Sequence, residues 1–219
     1  MTIDWEERAT RARERFEDGA ARLPEDADER QRQLTRMGNA AWATGLSYLM
    51  LGRRNVASEW LVRAAETYRR SWPDAPQGSW GRPIGAMKSR LIAGDVAGAS
   101  EDAAWALDAG AAESESPIGR YAAALAHLIL GEDDAAAALA ATLTSAEAIP
   151  PAVIDSIAAL AMRDEPAYRA AIAALVVDFE ARAEFLEDIA VADTVLALQA
   201  LAEVRELDVP LASALLPAR

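Results

Sequence analysis

Along most of the chain, apolar side chains return at every third or fourth position, the spacing that lines one face of an α-helix. The pattern is clearest over residues 41–68. There, Gly45, Ala57 and Ala64 are small where two helices would have to touch, and Tyr48 and Leu61 are large enough to fill the seam. A Gly-Arg-Arg-Asn turn (52–55) joins the two halves. The same periodicity predicts ten helices, over 4–23, 28–51, 55–71, 84–93, 95–109, 118–130, 132–144, 152–162, 166–186 and 188–207. Thr2 or Asp4 is placed to cap the first. Runs of alternating apolar and polar residues are nearly absent, so the expected class is all-α.

The breaks between helices recur. Gly52, Gly94, Gly131 and Arg163 follow one another at intervals of 42, 37 and 32 residues. Loose self-similarity at this period predicts antiparallel helical hairpins stacked on one another. The expected organisation is one domain over 1–219. It comprises an N-terminal helix (1–24), repeat-like hairpins (28–145) and C-terminal helices (150–219). Segment 71–83 interrupts the pattern with three prolines, two glycines and two tryptophans, and is the longest stretch expected to be non-helical.

Gly45, Tyr48, Gly52, Ala57, Leu61 and Ala64 together resemble the tetratricopeptide repeat. The family's leading tryptophan falls on Ala41, beside Trp42, and its final proline on Arg69. Gly94, Ala99 and Ala106, then Ala124, Gly131 and Ala136, are sparser copies, so the resemblance covers about 38–145. It implies a right-handed superhelix. Its concave face would carry Trp42, Leu46 and Leu49; Ile84, Lys88 and Leu91; and Tyr121, Leu125 and Leu128. So apolar a surface would aggregate if open. Either another part of the chain, the first helix or the C-terminal ones, fills it, or a partner does. Over residues 150–217, Arg163-Asp164, Tyr168-Arg169, Ala171-Ile172, Phe179-Glu180, Asp193, Leu196, Leu198, Leu201-Ala202 and Leu215-Leu216-Pro217 together resemble the C-terminal part of a second family, the all-helical immunity protein 49 antitoxins.

Charge adds a polarity to this picture. Residues 1–100 hold 16 Lys+Arg and 14 Asp+Glu, a balance of +2; residues 101–219 hold 6 and 21, a balance of −15. Such asymmetry can steer partners, but solubility is the preferred reading of it, and adaptation to high salt would also explain the acidity. A chain of net charge −13 repels nucleic acid at long range, so that partner ranks low. The charged N-terminus has no apolar core of a signal peptide, and no apolar run is long enough to span a bilayer, so a cytoplasmic location is expected.

Chemistry is sparse. The chain has no cysteine and one histidine, His127, read as a core or seam residue; thiolate metal sites are excluded, and zinc held by imidazoles is not expected. No phosphate-binding glycine loop and no Gly-x-Ser-x-Gly turn occur. Asp178, Glu180, Glu184, Glu187 and Asp188 form an acidic string on the predicted 166–186 helix and just beyond it. Helical spacing would put Glu180, Glu184 and Asp188 on one face, an expected solvated face or, in an enzyme reading with Arg169 or Arg182, a carboxylate metal site. No cofactor is expected. Arg69, Arg70, Trp72, Trp80, Arg82, Lys88 and Arg90 interleave cations and aromatics around one loop, the candidate site for an acidic peptide or protein. Trp72 is expected to be largely buried and Trp80 partly exposed, as the anchor of that site. The leading reading is a non-catalytic protein-binding module, in one form an antitoxin that caps a toxin. The others are the metal-dependent enzyme or small-ligand binder and a peptide-binding regulatory repeat, with homo-oligomers left open.

Overall fold

Four of the helix starts in this chain are set by aspartates. In a computed structural model describing residues 3–144 and 148–218, Asp4, Asp26, Asp95 and Asp164 each accept a hydrogen bond from the backbone N–H three residues on. Each satisfies one of the donors that a helix N-terminus leaves open. Thr2, the other candidate cap, lies outside the described residues. Several helix ends are set by left-handed residues. Gly52, Gly94 and Gly131 have φ of 74°, 76° and 76°, which glycine adopts without a Cβ clash. Arg163 takes the same role at φ 53°, a conformation that costs a residue with a Cβ about 1–2 kcal/mol.

Between these signals run ten α-helices among the described residues, and no strand. They are α1 (Trp5–Ala21), α2 (Ala27–Met50), α3 (Arg54–Ser71), α4 (Gly81–Ala93) and α5 (Val96–Asp108), then α6 (Pro117–Leu130), α7 (Asp133–Thr142), α8 (Pro151–Met162), α9 (Glu165–Glu180) and α10 (Asp193–Val204). Through α9 each helix packs chiefly on its sequence neighbours, making a stack of helical hairpins. The α2–α3 seam shows why small residues stand there. A Cβ on Gly45 would sit 2.7 Å from Leu61 Cγ and 3.1 Å from the Ala57 carbonyl, and one on Gly38 would sit 2.7 Å from the Tyr68 ring.

α10 breaks the neighbour rule by packing on α4 and α8. It lies where the concave face of the stack would be, together with Ile189 and Val191 just before it. Ile189 and Val191 join the apolar core of Trp42, Leu46 and Leu49 on α2. Ala192, Val195 and Leu198 join that of Ile84, Leu91, Tyr121, Leu125 and Leu128. The two cores meet at Ile92. The chain therefore fills its own groove, and of the two segments expected to do so it is the C-terminal one.

Two expected elements are corrected. α4 begins at Gly81 rather than at Ile84, so Arg82 and Pro83 belong to its first turn. The helix predicted over 166–186 stops at Glu180, and α10 starts only at Asp193. Between them a short 3₁₀ turn (Leu186–Asp188) carries two successive left-handed residues, Glu187 (φ 54°) and Asp188 (φ 58°). Arg15 on α1 pairs with Glu187, and Arg8 donates to the Asp188 carbonyl. These contacts come from one helix distant in sequence, so no local pattern announced them.

Candidate functional site

The seven cations and tryptophans of the sequence-derived site divide among several places. Trp80 precedes α4 and is 7% exposed, whereas Trp72 is half-buried, the reverse of the expected order. The reason is α6. Gly119 presents bare backbone to Trp80, and a Cβ there would come within 2.7 Å of the indole Nε1. Trp72 then leans on Trp80 with ring centroids 5.5 Å apart and meets Trp105 edge-on at 5.6 Å. The loop is thus plugged onto α5 and α6 by its two tryptophans.

Arg69 and Arg90 converge on Asp102, which is buried in α5. Arg69 Nη1 lies 3.1 Å from one carboxylate oxygen and Arg90 Nε 3.3 Å from the other. Burial raises the Asp102 carboxyl above its ordinary value, and the charges and hydrogen bonds of Arg90 and Arg69 recover part of that. Arg90 also holds Asp95, the α5 cap, at 2.6 Å. Arg69 covers Trp105, its guanidinium 5.2 Å from the ring centre. Arg82 turns towards α2, where Gln31 and Thr35 accept from it, and Ser71 accepts at 2.8 Å. Burial lowers its pKa, but a guanidinium remains charged across the physiological range. Of the seven, Arg70 alone is exposed without a side-chain partner among the described residues.

Lys88 faces the filled groove. Its Nζ lies 2.6 Å from Asp193 and donates to Thr194 Oγ1 at 2.9 Å, both at the start of α10. Both charged side chains are nearly out of solvent, at 14% and 13% exposure. Tyr68 and Tyr121 stand close enough that their phenols, already raised by burial, are raised further by the Asp193 charge. The pair clamps α10 to α4. At the far end of α10, Arg205 reaches the Leu128 carbonyl at 2.7 Å and Asp133 at 2.6 Å.

The acidic string does not form a shared face. Asp178 pairs with Arg182 at 2.6 Å, Glu180 accepts from Ser213 at 2.7 Å, and Glu187 turns to α1. Among the described residues no group of three His, Asp or Glu side chains gathers as a metal ion requires. His127, half-buried at the end of α6, hydrogen-bonds through Nδ1 to Glu132 at 2.5 Å, which makes it a seam residue.

What residue types alone did not mark is a cleft of about 980 Å³ between α10, the C-terminal tail and the α2–α3 and α4–α5 turns. Leu91, Ile92, Leu196 and Ala200 line it. Val96 and Val204 stand on its rim, 58% and 70% exposed. Isolated apolar residues within polar stretches, as in Glu203-Val204-Arg205, are the faint signal it left in the sequence. No helix among the described residues is long and apolar enough to cross a membrane. No family model, no curated protein and no solved structure matches the chain.

Proposed function

We propose that this chain is a non-catalytic binding module that docks a basic protein through the acidic surface of its C-terminal half. The observation that carries the reading is how charge is spent there. Residues 101–219 hold 6 Lys+Arg against 21 Asp+Glu. Arg163, Arg169, Arg182 and Arg205 are each paired with a carboxylate of the same half. Asp134, Asp155, Glu184, Glu203, Glu206 and Asp208 are exposed with no cation on them among the described residues. Such a surface accelerates encounter with a cationic partner and turns away anionic ones. An antitoxin that caps a basic toxin is the most specific form of this reading, in line with the resemblance of residues 150–217 to the immunity protein 49 family. The peptide-binding repeat reading is disfavoured because α10 occupies the groove that such peptides would use.

The test is capture from extracts of the native cell at low and raised salt, using the wild-type chain and an Asp134→Lys/Asp155→Lys/Glu184→Lys variant. A basic protein retained at low salt, released as salt rises and held less by the variant is expected. A retained partner that is acidic, or indifferent to both salt and charge reversal, would overturn the reading. Co-expression with a neighbouring toxin gene tests the antitoxin form separately, since failure to neutralise removes that form alone.

A further inference from the structure

The cleft beside α10 has a shape and a charge that select among occupants. Its floor is aliphatic, with Leu91 and Ile92 from α4 and Leu196 and Ala200 from α10. Its rim exposes two valines, Val96 at the start of α5 and Val204 at the end of α10. A valine more than half in water is unremarkable alone; two across an apolar cleft make a place to seat an apolar side chain. Beside Val204 the cleft is lined by Glu203 and Asp208, neither of them paired among the described residues, while Arg205 is turned inward and neutralised by Asp133. Of the other lining residues one is a cation without a carboxylate partner among the described residues, Arg54, so the mouth is net negative. The walls are well held. Gln199 donates to the Val209 carbonyl at 2.5 Å and Ala192 N–H to the Leu215 carbonyl at 2.9 Å, which ties the C-terminal tail to α10. Ser58 donates to the Ala93 carbonyl at 2.9 Å, tying α3 to the end of α4.

We infer that this cleft receives an amphipathic segment of a cationic protein partner. An apolar side chain would seat between Val96 and Val204, and lysines or arginines would meet Glu203 and Asp208. The inference rests on the basic-partner reading above and adds to it the place of docking. Apolar anchors desolvated at the centre of a charged ring carry most of the energy of such contacts. Long-range charge supplies the approach.

The chain has no cysteine of its own, so a single introduced thiol carries a photo-crosslinker uniquely. Three labelled chains are made: Val204→Cys and Val96→Cys at the cleft, and Val177→Cys on α9, which is equally exposed at 64%. The probe is a short helical leucine/lysine peptide, compared with its leucine/glutamate counterpart. Labelling of the leucine/lysine peptide from 204 and 96, and not from 177, is expected. Val96→Ser/Val204→Ser, which removes the apolar anchors without adding charge, should weaken its binding at least about tenfold; both sites are exposed, so the fold tolerates the change. Equal labelling from 177, or no effect of the serines, overturns the cleft and leaves the acidic reading standing. Equal binding of the leucine/glutamate peptide overturns both. Self-association of the chain through 96 and 204 would make the occupant a second copy and also overturn the inference.

Discussion

Replacing Lys88 by methionine tests whether an ion pair seats the C-terminal segment in the groove. Methionine keeps the apolar stem that packs beside α10 and removes only the charge. Asp193 would be left 9% exposed, facing Tyr68 and Tyr121, with Thr194 as its remaining neighbour donor. Breaking a buried pair by deleting one partner costs about 3–5 kcal/mol, because the other charge stays desolvated. The small exposure of both groups places this pair at the lower end, about 3 kcal/mol. In a chain of this size each kcal/mol moves the melting temperature by about 2–4 °C, so a fall of about 6–12 °C is expected. Circular dichroism on Lys88→Met, Asp193→Asn and the double variant measures it. The double should lose clearly less than the sum, with a coupling of at least about 1 kcal/mol. Hydrogen exchange over residues 189–204 should rise in the single variants, since α10 is the element released. If the two losses add within about 0.5 kcal/mol, or Lys88→Met melts with the wild type, the pair is a bystander and apolar burial alone holds α10.

Two further outcomes are expected. Burial raises the phenols of Tyr68, Tyr121 and Tyr168 well above their usual value, with Asp193 or Asp208 adding to it. Their contribution is fully present below the unfolded pKa of about 10 and is lost as pH rises towards the folded values, at about 1.4 kcal/mol per unit for each phenol. Tyrosinate absorbance followed together with helical ellipticity should show these three ionising only as the helices melt; free ionisation near pH ~10 in a folded chain would refute it. Trp80→Ala should lower stability by about 3–5 kcal/mol in urea unfolding, because it empties the space between Trp72 and α6; a loss under about 1 kcal/mol would mean that the indole is not part of the core.

The class of the fold was legible in the sequence because its signals are local. Period, the aspartate caps and the left-handed stops at Gly52, Gly94, Gly131 and Arg163 act within one turn of the helix they delimit. The apolar concave positions likewise showed that something must cover them. Which segment covers them was decided only in three dimensions, because Ile189 and Val191 find Trp42 and Leu46 across more than half the chain. The same holds for the tryptophans. Nothing near Trp80 foretells that Gly119 on α6 opens a place for it, so the side chain expected to stay partly exposed is buried by the fold. The cation cluster was read from neighbours in sequence, whereas every guanidinium or ammonium of it except that of Arg70 is committed by neighbours in space: Asp102 for Arg69 and Arg90, Gln31 for Arg82, Asp193 for Lys88. A side chain's helix is chosen by contacts a few residues away, but its exposure and its charge partner depend on elements that the chain must first fold to bring close.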